Sequence, residues 1–395
     1  MLSFDETLRQ RLAAVREQNL FRELRRMDSP QSPRISIAGK TFLNFSSNDY
    51  LGLANHPALK KAAIKAVVEF GAGAGASRLI CGSLAPFHEL EETLATFKGT
   101  EAALTFSTGY AAALGTITAL LGKDDIIILD KLVHACVVDA AKLSGAKLRV
   151  FDHNDLNDLE KILKWASHNP RTQNPSARPL IVTESVFSMD GDTAPLCEIV
   201  ALKEKYGAWL MVDEAHATGL YGKNRRGLAE EFGVSSQIEI QMGTLGKALG
   251  ASGGYICGSR ALIDLLVNRA RSFIFSTAPV PAAAAAATAA IQLVQSREGE
   301  LLRNNLRQRL TAFESEIGNR KSEIQSAIIP LIIGEETKAV DLASRLREQN
   351  IFIPAIRYPT VARGAARLRV TFTAAHTAED VAQLLTALKI LGIGL

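Results

Sequence analysis

The chain has 395 residues, of which 47% are hydrophobic and 22% are charged, and 45 Lys and Arg residues against 41 Asp and Glu residues leave a net charge of +4. This composition excludes a disordered or fibrous chain, and so small a basic excess does not favour a nucleic-acid-binding protein. The four cysteines lie far apart without a Cys-x-x-Cys pair, so we expect no disulfide framework and no metal site, and a reducing cytoplasm as the setting.

The opening segment is charged every few residues, which argues against a secretory signal. Apolar residues recur at helical spacing between Phe4 and Leu24, which predicts an amphipathic arm over residues 1–45 that packs on the body or on a second subunit. Its basic residues Arg22, Arg25 and Arg26 could reach a ligand, although a solvated basic face is the simpler interpretation.

The central region alternates short apolar runs with helical patterns. The runs cover residues 103–107, 126–130, 179–184, 208–214 and 254–258. Such alternation predicts a parallel sheet wrapped by helices, here a large α/β domain over residues 46–285. Ligands of these sheets bind at the carboxyl ends of the strands, so the chemistry is expected near Ser107, Asp130, Glu184 and Asp213.

The pattern changes after Pro281. An Ala-rich stretch, residues 278–294, predicts a packed helix, because alanine gives too little transfer energy to hold a membrane span. The helices and strand-like runs that follow predict a small α+β domain over residues 286–395. We therefore expect no membrane association.

Two short motifs resemble nucleotide sites only superficially. Gly246-Lys247 ends like a phosphate loop, but Gln241 and Ala248 replace the leading glycine and the magnesium-binding hydroxyl. Without that loop, the acidic run at residues 213–216 has no triphosphate to serve. A nucleotide triphosphatase is therefore disfavoured.

Lys247 suits a different chemistry. It is bracketed by small residues between Gly243 and Gly250, downstream of Asp213. Pyridoxal phosphate needs a lysine for its Schiff base, a carboxylate for its pyridine nitrogen and helix-terminal amides for its phosphate. The turn at residues 107–110, between a strand and a helix, suits the phosphate. Each part alone has a mundane explanation, such as a helix cap or a surface lysine.

Motifs along nearly the whole chain resemble the α-oxoamine synthases, fold-type I pyridoxal-phosphate enzymes that condense an amino acid with an acyl thioester and release carbon dioxide. The resemblance implies a large domain with a mainly parallel seven-stranded sheet, a small α+β domain and a homodimer with shared active sites. The motifs include NFSSNDYLGL (44–53), ASRLICGS (76–83), FSTGY (106–110), VFSMDGDTAPL (186–196), VDEAHATG (212–219), GTLGKALG (243–250) and PTVARGAARLRVTFTAAHT (359–377).

The resemblance implies residue roles. Lys247 would hold the cofactor and move the Cα proton of the amino acid, Asp213 would pair with the pyridinium nitrogen, and His216 would hydrogen-bond the ring hydroxyl. His134 would stack on the ring and assist the condensation. The other implied cofactor contacts are Gly109, Tyr110 and Thr244 at the phosphate, Ser188 near the ring hydroxyl and, from the second subunit, Ser276 and Thr277.

Four further residues would contact substrate. Arg369 is expected to clamp the amino-acid carboxylate, because a guanidinium fork matches a carboxylate bidentately. Arg367 is its near competitor. The remaining substrate contacts that the resemblance implies are Arg22, Asn48 and Thr360, with His134 shared between cofactor and substrate.

The motifs also bear on the substrates. The opening NFSSNDYLGL and the Pro359-Thr360-Val361 run favour condensation of L-alanine with a pimeloyl thioester in biotin biosynthesis. The stretch around Lys247 looks equally like 2-amino-3-ketobutyrate CoA ligase, a glycine-using relative, and 5-aminolevulinate synthase is the other glycine-using alternative. The acyl carrier, coenzyme A or acyl carrier protein, stays open, and a non-catalytic binding protein on the same fold is a remote alternative.

Overall fold

The computed structural model describes residues 1–168, 178–317 and 326–393. Contacts divide the chain into two units. The first comprises Met1–Tyr50, Met189–Gly191 and Asn305–Leu395, and the second comprises Leu51–Ser188 and Asp192–Asn304. Residues 1–50 thus share a unit with the C-terminal residues, and the boundary expected after residue 285 falls inside a helix, Pro281–Gln295.

The second unit is built on a seven-stranded sheet in the order β3-β9-β8-β7-β6-β4-β5. Strand β9 runs antiparallel to both of its neighbours, and the ladder from β8 to β5 is parallel. The mixed α/β fold with a mainly parallel sheet is therefore confirmed. The strands are β3 (Ala102–Phe106), β4 (Ile126–Asp130), β5 (Lys147–Phe151), β6 (Leu180–Glu184), β7 (Trp209–Asp213), β8 (Ile240–Thr244) and β9 (Gly254–Gly258).

The central strands read as continuous apolar runs because helices cover the sheet. Every residue of β4 and β6 is buried, as expected where a parallel sheet has no wet face. The helices of this unit are α2 (Pro57–Phe70), α3 (Ala85–Lys98), α4 (Gly109–Leu120), α5 (Ala135–Ser144), α6 (Leu156–Ser167), α7 (Leu196–Tyr206), α8 (Leu228–Glu231), α9 (Arg260–Arg269), α10 (Arg271–Ile274) and α11 (Pro281–Gln295).

The Ala-rich stretch forms the packed helix that its composition predicts. Helix α11 contacts α2 and α3, and four of its alanines are buried, Ala284, Ala286, Ala287 and Ala290. Small side chains let helix backbones approach closely, and alanine keeps a high helix propensity. None of the helices described in the three ranges above combines the length and apolarity needed to cross a bilayer.

The first unit contains two three-stranded sheets, ordered β1-β2-β11 and β10-β13-β12. Helix α1 of this unit buries none of its side chains. The boundary between Asn304 and Asn305 falls inside helix α12 (Arg297–Ile317). The other elements of the first unit are α1 (Phe4–Glu17), β1 (Arg34–Ile37), β2 (Lys40–Asn44), β10 (Ile328–Gly334), α13 (Glu336–Glu348), β11 (Ile351–Phe352), β12 (Ala355–Ile356), β13 (Ala366–Thr371) and α14 (Ala378–Ile390).

Candidate active site

A cavity of about 190 Å³ opens in the second unit where the parallel strands β6, β7 and β8 end. Carboxyl ends of parallel strands meet at one edge of a sheet, which is where α/β proteins bind ligands. Most of the cofactor contacts expected from sequence lie on its wall. The lining residues are Gly109, Tyr110, His134, Cys136, Glu184, Asp213, Ala215, His216, Met242, Thr244 and Lys247.

Lys247 follows β8 in a tight bend. Its carbonyl accepts the N–H of Gly250 at 2.8 Å, and Gly250 has φ +60° with no room for a Cβ, which would meet Ala54 N at 2.5 Å. The bend therefore depends on glycine. Lys247 Nζ lies 2.8 Å from His216 Nε2, a hydrogen-bond distance at which His216 holds the Lys247 amine in the cavity.

Asp213 and Glu214 are consecutive carboxylates with different surroundings. Asp213 ends β7, lines the cavity and accepts the N–H of Ala215 at 2.9 Å. Glu214 forms a fully buried ion pair with Lys98 and accepts the N–H of Ala229 at 2.9 Å. Within the residues that the structure describes, no cation lies within 4 Å of the Asp213 carboxylate. Asp213 therefore remains able to pair with a cationic group of a ligand.

His134 is the N-cap of helix α5. Its Nδ1 accepts the N–H of Cys136 at 3.3 Å and lies 3.1 Å from the Cys136 sulfur, so the proton of the neutral ring sits on Nε2. The ring keeps solvent access, yet surrounding protein lowers the pKa of His134 by disfavouring the imidazolium; Asp213 opposes this shift and Lys247 adds to it. Burial raises the pKa of the Cys136 thiol to about 12, which keeps the thiol protonated.

The N-terminus of helix α4 lies at the same edge. Thr108 caps the helix by accepting the N–H of Ala111 at 3.0 Å. Gly109 lies so close to Gly254 that a Cβ on Gly254 would meet Gly109 N at 2.5 Å. The Gly109 and Tyr110 amides are at helix positions without intrahelical acceptors, so they suit an anion. The hydroxyl of Tyr110 donates to Asp139 at 2.6 Å, which raises the pKa of Tyr110.

Other expected cofactor contacts are placed differently. The Thr244 hydroxyl donates to Gly253 O at 3.0 Å, so donation to a phosphate requires that bond to be exchanged. Ser188 lies outside the cavity wall, and its backbone N–H donates to Glu184 Oε2 at 3.2 Å. The partly exposed residues Ser276 and Thr277 do not line the cavity either. Their expected partner is a second subunit, so their role stays a prediction.

Glu184 was not among the expected cofactor or substrate contacts, yet it lines the cavity. Its position at the end of a strand had marked it as lying near the chemistry, without assigning it a contact. Burial raises the pKa of Glu184, and the neighbouring Asp213 carboxylate raises it further. Cys136 was also missed, because a cysteine inside a helical pattern carries no sequence signal for a site.

In the first unit, two expected substrate contacts meet. Arg369 Nη1 donates to Asn48 Oδ1 at 3.0 Å and to the Thr371 hydroxyl at 2.9 Å. Arg367, two residues earlier on β13, donates instead to Asp190 Oδ1 at 2.6 Å and forms an ion pair with it. Asp190 therefore neutralises Arg367, while the Asn48 and Thr371 oxygens that orient Arg369 are uncharged. This difference favours Arg369 as the carboxylate-binding arginine.

The other two expected substrate contacts lie on segments that are tied together. Arg22 donates to Tyr358 O at 3.2 Å, and Arg357 donates back to Phe21 O at 2.8 Å. Thr360 belongs to the same turn, since its N–H donates to Arg357 O. Hydrogen bonds thus hold residues 21–22 and residues 357–360 of the first unit side by side.

Comparisons with known proteins add to this geometry. The family model for class I and II aminotransferases matches residues 40–388. An 8-amino-7-oxononanoate synthase from Geobacter sulfurreducens is 47% identical over 384 residues, which cover 96% of each chain. Among solved structures, a variant of serine palmitoyltransferase from S. paucimobilis with a bound PLP–myriocin aldimine is 30% identical, with a TM-score of 0.90 over 98% of each chain. An 8-amino-7-oxononanoate synthase from Francisella tularensis is 28% identical, with a TM-score of 0.75 over 89% of this chain and 98% of that one.

Proposed function

The chain belongs to the class I and II aminotransferase family, and from this premise we propose that it condenses L-alanine with a pimeloyl thioester to 8-amino-7-oxononanoate, carbon dioxide and the free thiol. It is a pyridoxal-phosphate-dependent acyltransferase of the α-oxoamine synthase family, as its curated relatives are. The observation that carries the proposal is the gathering of Lys247, Asp213 and His134 around one cavity. The curated relatives do not favour the glycine-using alternative.

The cavity fits pyridoxal phosphate. Lys247 supplies an amine for the carbonyl, Asp213 a carboxylate for the pyridine nitrogen, and the amides of Gly109 and Tyr110 an anion site for the phosphate. A buried oxygen of Glu184 has no protein partner there, as expected where a polar ligand group completes the wall. The cofactor, when bound, accepts the electron pair of a carbanion formed at the amino-acid Cα.

Lys247 is the base that takes the Cα proton of alanine. Its amine is the only lysine nitrogen among the residues that line the cavity, and His216 Nε2 holds it at 2.8 Å. A lysine works as a base when it is partly neutral, which a site lined by protein rather than by water promotes. Besides any contact with the ring hydroxyl of the cofactor, His216 therefore positions the Lys247 amine.

His134 acts as a neutral imidazole. The lowered pKa keeps the ring uncharged near neutral pH, and the Cys136 N–H fixes the proton on Nε2. A neutral ring can lie flat against an aromatic cofactor and donate one hydrogen bond to the thioester carbonyl oxygen as charge develops there. His134 thus assists condensation without adding positive charge beside Lys247.

Arg369 binds the substrate carboxylate until carbon dioxide leaves. Its guanidinium is already oriented by Asn48 and Thr371, and its ion pair with a carboxylate is stronger than either of these bonds to an uncharged oxygen. Arg22 and Thr360, on the two hydrogen-bonded segments, contact the acyl substrate. Ser276 and Thr277 reach the phosphate of the second subunit in a homodimer, and the thioester is carried by coenzyme A or by acyl carrier protein.

A substrate panel tests this function. Purified holoenzyme is mixed with pimeloyl-CoA or pimeloyl-acyl carrier protein and with L-alanine, glycine or L-serine, and carbon dioxide, free thiol and amino ketone are quantified. We expect L-alanine to give a kcat/KM at least about 10-fold above glycine and serine, a difference of about 1.4 kcal/mol. Preference for glycine would contradict the assignment of the amino acid.

A Lys247→Ala variant provides the control for chemistry. Because this variant lacks both the base and the cofactor attachment, we expect kcat to fall by about 10³-fold or more, as for other essential catalytic groups. The matched control is Lys142→Ala, on α5 and outside the cavity wall, which keeps wild-type turnover. Activity in Lys247→Ala at the wild-type rate would remove Lys247 from the reaction.

A further inference from the structure

Glu184 is a buried carboxyl in the cavity wall that none of the roles above uses. It ends β6 and is 2% exposed, and its Cα is the register partner of Asp213 on the neighbouring strand β7. Neighbouring strands lie about 4.8 Å apart. Two carboxyl groups therefore stand side by side at one cavity, and no cation lies within 4 Å of Glu184 in the described ranges.

The two oxygens of this carboxyl have different surroundings. Oε2 accepts the backbone N–H of Ser188 at 3.2 Å. Oε1 is buried and finds no hydrogen-bond partner among the described residues. An unpartnered buried oxygen is costly, so this atom needs a partner from a ligand in the cavity.

The charges around Glu184 favour its neutral form. Burial disfavours a carboxylate there most strongly, and the negative Asp213 on β7 adds to this effect. Lys247, beyond the end of β8, opposes both, while His134 and Cys136 at the start of α5 bring no fixed charge. Together these groups raise the pKa of Glu184, because two carboxyls at one site rarely ionise together.

We propose that Glu184 is a positioning residue that works as a neutral carboxylic acid. Oε2 ties the Ser188 segment to the end of β6, and the proton on Oε1 is donated in a hydrogen bond to an acceptor atom of the group bound in the cavity. The inference rests on the proposed function only for the identity of that group, pyridoxal phosphate.

Three substitutions test the proposal. Glu184→Gln keeps a neutral side chain that accepts with one end and donates with the other. Glu184→Asp moves the carboxyl back by one methylene, and Glu184→Ala removes it. The matched control is Thr183→Val, a buried and nearly isosteric change at the adjacent position of β6, whose side chain points to the opposite face.

The first readout is cofactor affinity, measured by titrating apo-protein with pyridoxal phosphate and following visible absorbance without substrate. We expect Glu184→Gln and Thr183→Val to stay within about threefold of wild type, and Glu184→Asp and Glu184→Ala to bind about 10-fold or more weakly, as for a lost buried hydrogen bond. Equal losses of cofactor affinity in Glu184→Gln and Glu184→Ala would show that Glu184 does not act as a neutral acid. Unchanged affinity in Glu184→Ala would show that its hydrogen bonds do not support cofactor binding. Because no thioester is present, a wrong substrate assignment leaves these results unchanged.

The second readout is the stability of the apo-protein, which remains informative where Glu184→Ala does not fold. A raised pKa in the folded state means that ionising Glu184 disfavours folding, so the wild type loses stability as pH rises from the unfolded value of about 4.3 through the raised value. Glu184→Gln lacks this loss. We expect its advantage in free energy of unfolding to grow between about pH 5.5 and 9. An advantage that stays flat over this range would mean that Glu184 ionises normally and would overturn the proposal.

Discussion

Two carboxylates that are adjacent in sequence, Asp213 and Glu214, show how this protein separates structural charge from available charge. Glu214 is fully buried against Lys98 and the Ala229 N–H. Asp213 accepts one backbone N–H and otherwise faces a cavity that also holds an amine, Lys247. A dedicated cation leaves Glu214 no capacity for a ligand, whereas Asp213 keeps its charge for one.

The same distinction separates two arginines of β13. Arg367 is neutralised by Asp190, and Arg369 is oriented by the uncharged oxygens of Asn48 and Thr371. Both are arginines on one strand, two residues apart, so the sequence alone does not distinguish them. Their hydrogen-bond and ion-pair partners decide which guanidinium can bind a substrate carboxylate. The ion pair with Asp190 therefore distinguishes Arg367 from Arg369.

The sharpest test of this comparison exchanges each carboxylate for its neutral amide. Asp213→Asn keeps the shape of the cavity but removes its negative charge, so we expect kcat to fall by about 10²- to 10³-fold, as when one preorganised electrostatic group is lost, with little change in stability. Glu214→Gln leaves Lys98 as an uncompensated buried charge and is expected to cost about 3–5 kcal/mol of unfolding free energy. Steady-state kinetics and chemical denaturation measure the two effects.

The contrast would fail if the effects were reversed. A Glu214→Gln protein that keeps wild-type stability would mean that the Lys98 pair contributes nothing to folding. An Asp213→Asn protein with undiminished kcat would remove the cavity carboxylate from the reaction.

The arginine pair gives a smaller effect. Arg369→Ala removes a charge-assisted bond to the substrate carboxylate, which corresponds to about 10- to 100-fold in KM for the amino acid. Arg367→Ala breaks the ion pair with Asp190 and is expected to lower stability by about 1–3 kcal/mol with a smaller change in KM. Amino-acid saturation curves and thermal melts separate the two outcomes. Equal KM effects from both variants would show that neutralisation by Asp190 does not decide function.

Much of the fold could be predicted from the sequence because helices cover the sheet. Strands β4 and β6 are buried throughout, so each opens with an apolar run, IIIL in β4 and LIV in β6, before its polar end. Strands β5 and β8 were missed. The first, KLRVF, carries charges at the edge of the sheet, and the second, IQMGT, contains a polar residue and a glycine. Both are recognisable only through their neighbours.

The site could be predicted less completely. Lys247, Asp213, His134 and His216 were expected together, and one cavity collects them. Glu184 was expected near the chemistry as a strand-end residue but was given no role, because its significance comes from burial beside another carboxyl. The hydrogen bond that occupies the Thr244 hydroxyl was equally invisible, since its acceptor lies nine residues further along the chain. Partners in space, rather than residue types, set these roles.

His153 adds to this comparison a cation that is neutralised entirely by protein carboxylates. Its Nδ1 lies 2.9 Å from Asp130 Oδ1 and its Nε2 lies 2.7 Å from Asp192 Oδ2. Burial alone would lower the pKa of His153, but the two carboxylates outweigh it and raise the pKa to about 10. The imidazolium is thus neutralised on both sides, as Glu214 is by Lys98, and does not line the cavity.

The pH dependence of stability tests this reading of His153. Because the folded pKa exceeds the unfolded value of about 6.5, the imidazolium contributes its full stability below about pH 6.5 and loses it as pH rises through about 10. We expect wild type to exceed His153→Gln by about 2–4 kcal/mol in free energy of unfolding at pH 6, and this difference to shrink steadily toward pH 10. The exposed His168→Gln change is the control and should show no such trend. If the difference in free energy of unfolding stayed constant from pH 6 to 10, packing against Phe187, and not charge, would stabilise His153. The distinction between neutralised and available charge would then apply only to the cavity and to β13.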